Sequence, residues 1–193
     1  MKDRNKTLVF VDAGYFSILS KHFGKGKYLK VDLIKFTREL ASRHTLWMEH
    51  WYYYSAPPYQ SPKQTPDEVK RKAGYDSFVS CMNKEKNITI REGRLQKIDG
   101  EFTQKGVDTL LTMDLTIEPL EKEIKTIILL ASDTDFVPIL NMLRTKQGIK
   151  VILYYYTDKK RDSKFSMSNF LLTACDECII LSEQDFTKNL RKK

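Results

Sequence analysis

The hydrophobic residues of this chain fall into short runs of strand length, separated by longer amphipathic stretches. The runs are rich in β-branched and aromatic residues, which favour extended backbone. Some, such as residues 127–130, are apolar without interruption, which is typical of strands covered on both faces of a sheet. The pattern predicts strands at residues 8–11, 47–55, 88–91, 126–131, 149–156 and 178–181.

Between these runs, apolar residues recur at the spacing of a helical face. Asp32 can cap a helix that begins at Leu33, and Thr65 begins a capping box with Glu68. Gly148 is a natural stop for the fourth helical stretch. Helices are therefore predicted over residues 33–43, 66–82, 107–115, 136–146 and 168–176.

Strands and helices alternate almost throughout, which predicts an α/β fold of three layers with a central, mainly parallel sheet. Residues 56–64, with three prolines, form the clearest loop. We expect a single domain over residues 1–193, with 185–193 as a loose basic tail. In such folds, ligands gather outside the carboxyl ends of the strands, where the strand order reverses.

Composition narrows the class of protein. Of the 193 residues, 41% are hydrophobic and 30% are charged, which favours a globular domain over a disordered chain. No apolar run approaches the roughly 20 residues of a membrane span, and no targeting segment is recognisable. We therefore expect a cytoplasmic protein without a membrane partner, for which a homo-oligomer is compatible with the sequence.

The three cysteines include a single C-x-x-C pair, Cys175 and Cys178, besides Cys81. A structural zinc site would need two more ligands at a suitable spacing, which the three histidines do not supply. Ordinary reduced thiols are the favoured interpretation, and a redox pair is the alternative.

The net charge of +8 favours polyanionic partners. The net charge indicates which partners the protein attracts, but it carries no information about the fold.

Acidic residues follow two of the apolar strands. Asp12 ends the first strand, and Asp133 and Asp135 follow the strand at 126–131. If the two strands are neighbours, the three carboxylates meet, and each like-charged pair at ~4 Å costs about 4 kcal/mol at an effective dielectric of 20. Either protons or a cation must relieve this repulsion, and carboxylate oxygens suit Mg²⁺ or Mn²⁺. Taken singly, each residue is also a plausible turn residue or helix cap.

Two further acids lie in the predicted third helix. Asp114 follows Val107 by seven residues and so falls on the apolar stripe of that helix, where a carboxylate needs a partner, a proton or a metal. Asp108 lies in the first turn, where the helix dipole already favours an acid.

Several motifs, taken in order, resemble the NYN domain family, and more narrowly its bacterial LabA-like branch. They span nearly the whole chain. The matching segments are VFVDAGY at 9–15, RKAGY at 71–75, KGVD at 105–108, MDL at 113–115, SDTDFVP at 132–138 and SNFLLTACD at 168–176.

The resemblance implies a PIN-like fold and a metal-dependent ribonuclease, endonucleolytic rather than exonucleolytic, that uses Mg²⁺ or Mn²⁺ as cofactor. By position it implies that Asp12, Asp108, Asp133 and Asp135 are the catalytic and metal-binding acids, with Asp114 as a less secure fifth. Many relatives carry Asn shortly after the first Asp, whereas this chain has Tyr15 there. That departure puts catalytic rate or substrate choice in question.

In this interpretation the partner is RNA. The residues predicted to contact it are Tyr15 and the basic residues Lys70, Arg71, Arg91, Arg94, Lys105 and Lys159.

Three other functions are compatible with the sequence. The first is an RNA-binding or regulatory module that keeps the acidic pocket but cuts weakly or not at all. The second is a phosphatase, although a haloacid-type enzyme should show Asp-x-Asp after the first strand, where only Asp12 is present. The third is a protein-interaction subunit, for which the proline loop is the only sign.

Overall fold

The computed structural model describes residues 5–98, 100–158, 163 and 165–191. Its centre is a six-stranded sheet in which every neighbouring pair of strands is parallel, in the order β3-β2-β1-β6-β7-β8. The strands are β1 (Lys6–Asp12), β2 (Trp47–Ser55), β3 (Ile88–Glu92), β6 (Thr126–Leu130), β7 (Lys150–Tyr155) and β8 (Glu177–Ile180).

A separate antiparallel hairpin joins the third strand to the helix that follows it. It consists of β4 (Arg94–Ile98) and β5 (Glu101–Lys105), whose paired residues run from Arg94 opposite Lys105 to Ile98 opposite Glu101. Apart from Leu95 and Gln96, which are partly covered, the side chains of both hairpin strands are exposed.

Helices cover both faces of the sheet. The helices are α1 (Ala13–Phe23), α2 (Leu33–Ser42), α3 (Pro66–Met82), α4 (Val107–Glu121), α5 (Val137–Gln147), α6 (Asn169–Thr173) and α7 (Glu183–Thr187). In one core, helices α1, α2 and α7 pack against Val9, Val11 and residues of the neighbouring strands. In the other core, helices α4, α5 and α6 pack against Leu8, Phe10 and residues of the neighbouring strands. Alternate residues of β1 thus enter opposite cores, which explains why the strand is apolar throughout.

The predicted three-layer α/β/α class with a parallel sheet is confirmed. Each predicted strand and each predicted helix is present, with ends that differ by a few residues. Helix α4 extends to Glu121, beyond the predicted end at 115, and α5 is preceded by a short 3₁₀ turn, Thr134–Phe136. Helix α1, the β4–β5 hairpin and α7 were not predicted from the sequence.

The prediction of a loose tail from residue 185 differs from the structure over residues 185–191. Phe186 is fully buried and its ring stacks against Phe16 at 5.3 Å. The Asp185 carboxylate accepts a hydrogen bond from the Ser182 N–H at 2.7 Å and also pairs with Arg43. An aromatic anchor and an ion pair therefore hold this segment, despite its basic composition.

In the part of the chain that the structure describes, no helix combines the length and the hydropathy that crossing a membrane requires.

Candidate functional site

The acidic residues meet where the strand order reverses. From β1 the chain moves outward to β2 and β3 on one side, then returns to place β6 on the other side of β1. Asp12 is the last residue of β1, and Asp133 follows β6 by three residues. The switch point between β1 and β6 is where parallel α/β sheets bind their ligands.

Asp12 caps the helix that begins immediately after it. Its Oδ1 accepts a hydrogen bond from the Gly14 N–H at 2.8 Å. Burial raises the pKa of Asp12 to about 6; the backbone N–H groups of Tyr15 and Gly14 act to lower it, and the charges of Asp108 and Asp133 raise it further. Its carboxylate is thus held in place by the backbone while it is repelled by two other acids.

Asp108 lies in the first turn of α4, after Gly106, whose φ of 82° is in the left-handed region. No side chain caps this helix, so Asp108 meets free N–H groups and the positive end of the helix dipole. Nevertheless burial raises the pKa of Asp108, and the charges of Asp133 and Asp135 raise it further. Three chain segments therefore contribute acids to one region.

Asp133 and Asp135 belong to the 3₁₀ turn that follows β6. Asp133 caps this turn, accepting a hydrogen bond from the Asp135 N–H at 2.9 Å, and both residues are exposed. Asp133 lines the acidic cleft described next, whereas Asp135 acts on Asp108 through its charge. The alternative role of Asp135 as the cap of α5 is not what the structure shows, because Phe136 occupies that position.

An acidic cleft of about 510 Å³ opens at this point. Besides the acids, it is lined by polar residues for which the sequence predicted no role: Gln104, Ser132, Thr134, Ser166 and Ser168. Gln104 belongs to the hairpin but lies close to the start of α1. If Gly14 carried a Cβ atom, that atom would be 3.7 Å from the Gln104 Oε1. Nothing in the sequence indicated that a polar strand would turn back over the start of α1.

The donor set fits a hard divalent cation by its chemistry and its charge. Asp12, Asp108 and Asp133 offer carboxylate oxygens, and the mutual repulsion seen in the raised pKa values of Asp12 and Asp108 is what a cation would relieve. Among the described residues, however, no three His, Cys, Asp or Glu side chains are already arranged to hold a metal ion. The fit therefore rests on ligand type and electrostatics.

The structure does not bring Asp114 into this cluster. Its two carboxylate oxygens accept hydrogen bonds from Arg91, at 2.7 Å from Nε and 2.9 Å from Nη2, and Tyr54 donates a third at 2.9 Å. Asp114 is buried and is fully engaged by these partners. Its prediction as a fifth metal ligand is therefore corrected, and Arg91, predicted to contact RNA, already has a carboxylate partner.

Tyr15 lines the cleft but is largely buried. Its hydroxyl accepts a hydrogen bond from the Tyr156 N–H at 2.8 Å and donates to the Tyr156 carbonyl at 3.4 Å. Burial raises the pKa of Tyr15 to about 12, so the phenol stays neutral. In this chain the tyrosine joins α1 to the end of β7.

The remaining predicted RNA contacts are scattered. Lys70 and Arg71 are exposed on α3, and Arg94 and Lys105 face each other across the base of the hairpin. Lys159 lies outside the described residues. Of these residues, Lys105 is adjacent in sequence to Gln104, which lines the cleft, and Arg94 pairs with Lys105 across the hairpin.

The cysteines are free thiols, with Cys175 buried and Cys81 and Cys178 exposed. Burial raises the pKa of Cys175 to about 12 and also raises that of Cys178, which leaves both thiols protonated at neutral pH.

Three comparisons place these observations among known proteins. The family model of the NYN domain matches residues 6–182. No curated protein sequence is significantly similar to this chain. A crystal structure of a protein of unknown function from Vibrio parahaemolyticus is similar, with a TM-score of 0.60 and 16% identity over 96% of this chain and 98% of that one. At that identity the likeness shows the fold alone.

Proposed function

Since this chain belongs to the NYN domain family, whose members are generally nucleases, we propose that it is a metal-dependent ribonuclease of the LabA-like branch. Its substrate in this proposal is RNA, cut internally. The observation that carries the proposal is the convergence of acids from β1, α4 and the turn after β6 at the switch point of a PIN-like sheet.

In this proposal Asp12, Asp108, Asp133 and Asp135 hold Mg²⁺ or Mn²⁺. A divalent cation bound there supplies a water of lowered pKa and stabilises negative charge on the phosphodiester. The side chains of this chain bind and orient. Asp12 is fixed by the Gly14 N–H, and Asp133 is fixed by the Asp135 N–H, so neither carboxylate must be ordered when substrate arrives.

Groups around the acids suit the sugar-phosphate backbone. The Gln104 amide and the hydroxyls of Ser132, Ser166 and Ser168 line the same cleft and can donate hydrogen bonds to phosphate oxygens. None of these groups is a nucleophile paired with a base, so the proposed reaction needs no covalent intermediate.

A catalytically weak RNA-binding module is the second candidate. Two observations favour it. The described acids are not already arranged as a metal site, and Tyr15, which stands where many relatives have Asn, has its hydroxyl engaged by Tyr156.

The test is cleavage of labelled single-stranded and structured RNA in EDTA, Mg²⁺ or Mn²⁺. Asp12→Asn should lower the rate at least about a hundredfold, because roughly 3 kcal/mol of charge stabilisation is removed. Asp32→Asn is the matched control, since Asp32 also caps a helix, accepting from the Lys35 N–H at 3.0 Å, but lies outside the cleft.

Cleavage that persists in EDTA, or that Asp12→Asn leaves intact, contradicts the nuclease proposal. Salt-sensitive RNA binding without cleavage selects the binding module.

A further inference from the structure

The β4–β5 hairpin carries an exposed aromatic residue beside the acidic cleft. Phe102 is 57% exposed, and Tyr59 of the proline loop packs against it with ring centroids 5.4 Å apart. Neither ring belongs to the buried hydrophobic clusters of the described structure. Because more than half of the Phe102 side chain is exposed, its burial contributes little to the stability of the fold.

Strand geometry connects Phe102 to the cleft. Phe102 and Gln104 are two residues apart in β5, so their side chains leave the same face of the hairpin, about 7 Å apart along the strand. Gln104 lines the cleft together with Asp12 and Asp108. The face that carries Phe102 is therefore a continuation of one wall of the cleft.

The same face carries a lysine beside the ring. Lys97 lies directly opposite Phe102 across the hairpin, and its Nζ is 5.6 Å from the ring centroid. Glu101 and Lys105 alternate with Phe102 along β5 and so project from the opposite face, as does Arg94, which pairs with Lys105. An exposed ring flanked by a lysine matches the needs of an unpaired base and its phosphate.

We propose that Phe102, supported by Tyr59, is a base-stacking subsite that selects single-stranded RNA for the acidic cleft. The inference rests on the proposed function and deepens it, because it names the strandedness of the substrate. A base inside a duplex is already stacked on both sides, so it cannot cover this ring, whereas an unpaired base can.

The test is fluorescence anisotropy with an end-labelled adenosine oligoribonucleotide, alone and paired with its complement, in EDTA so that no cleavage occurs. Phe102→Ala should weaken binding of the single strand about tenfold, as loss of one stacked base does, and change duplex binding less than about twofold. Phe102→Trp should retain single-strand binding, and Phe102→Leu, which keeps apolar bulk without a ring, should lose it as Ala does.

Tyr28→Ala is the matched control. Tyr28 is 66% exposed and also has a lysine near its ring, with Lys21 Nζ 6.0 Å from the centroid, but it does not line the acidic cleft. This variant should bind like the unmodified protein.

The slope of log affinity against log salt adds a second readout. It should be unchanged by Phe102→Ala, because stacking involves no phosphate contact.

The outcomes separate the two proposals. If the unmodified protein cuts RNA and Phe102→Ala or Phe102→Leu binds single strands as well as it does, the stacking subsite is wrong and the nuclease proposal stands. If the unmodified protein binds RNA without cutting it and these variants bind equally well, the subsite is wrong and the binding module is selected. Equal weakening of single-strand and duplex binding also overturns the subsite. If the unmodified protein binds neither RNA in EDTA, the subsite is wrong, and cleavage in Mg²⁺ or Mn²⁺ decides the nuclease proposal separately.

Discussion

At the scale of single residues, Asp12 and Asp114 show how surroundings divide one residue type into two roles. Asp114 has a guanidinium and a phenol as partners. Asp12 has only backbone N–H groups to offset its burial and two neighbouring acids. The first arrangement is satisfied within the protein, whereas the second leaves negative charge that a cation or a proton must balance.

Asp114→Asn should lower the free energy of unfolding by about 2 to 3 kcal/mol, because it breaks a charge-assisted pair and leaves Arg91 without its carboxylate. Urea unfolding at neutral pH measures the change. Mn²⁺ affinity, measured on the same protein, should be unaltered. Unchanged stability together with lost Mn²⁺ affinity would return Asp114 to the metal set.

The sequence could not separate these two aspartates. The position of Asp114 on an apolar stripe indicated correctly that it is buried, but its partner Arg91 lies in strand β3, 23 residues earlier. Which side chain satisfies a buried acid depends on how β3 lies beside α4, and that is a tertiary property. For the acids at strand ends, the topology of parallel sheets made the outcome predictable.

At the scale of secondary-structure elements, the β4–β5 hairpin is attached through one tightly packed glycine. A Cβ on Gly93 would lie 2.6 Å from the Lys105 carbonyl oxygen and 2.7 Å from Val107 Cγ2. The Gly93 N–H also donates to the Ser55 carbonyl at 2.8 Å. This glycine therefore sets how the hairpin leaves the sheet.

Gly93→Ala should displace the hairpin, lowering the free energy of unfolding by about 1 to 3 kcal/mol and weakening RNA binding. Gly74→Ala is the control, because a Cβ there meets nothing within 4 Å and a helical Ala is favoured by roughly 0.5 to 1 kcal/mol. Thermal unfolding and RNA anisotropy report both effects. If Gly93→Ala matches Gly74→Ala in both measurements, the hairpin does not depend on this contact.

A second prediction at this scale concerns the Asp185 carboxylate, which holds helix α7 in place. Burial acts to raise the pKa of Asp185, but the Ser182 N–H and hydroxyl and the Arg43 guanidinium outweigh it, so the pKa is lowered overall. A lowered pKa stabilises the folded state above the unfolded value of about 4, and this stabilisation is lost as the pH falls through the folded value.

Asp185→Asn should therefore be less stable than the unmodified protein by about 1 to 2 kcal/mol at neutral pH, with a difference that narrows below about pH 4. Urea unfolding as a function of pH measures this dependence. A difference that is constant over the whole range would mean that the charge of Asp185 does not hold α7.

The elements that the sequence missed share a physical cause. Both hairpin strands lack apolar alternation because they are mostly exposed, and α7 is only five residues long. Helix α1 did leave a signal, since Asp12 is a suitable cap and Phe16 and Leu19 have helical spacing. Asp12 therefore has two roles at once, as the acid that ends β1 and as the cap of α1.

At the scale of the whole molecule, the strand order decides where the chemistry can occur. Asp12 and Asp133 are 121 positions apart in the sequence, and they meet because β6 returns to pair with β1 after the chain has built β2 and β3. The chain as a whole carries a net charge of +8 while these acids are concentrated in one cleft, a combination that favours a polyanion at the protein and a cation at the cleft. The alternation of strands and helices was enough to predict that the acids lie at the carboxyl ends of the strands. It did not predict the hairpin, whose Gln104 lines the cleft.

The most direct test of the central claim is calorimetric titration of Mn²⁺ into the unmodified protein and its Asp12→Asn, Asp108→Asn and Asp32→Asn variants. The account predicts saturable binding that is weakened at least about tenfold by the first two substitutions, because each removes an ionised ligand, and is unaffected by the third. Absence of Mn²⁺ binding to the unmodified protein, or equal affinity in all four proteins, would contradict it.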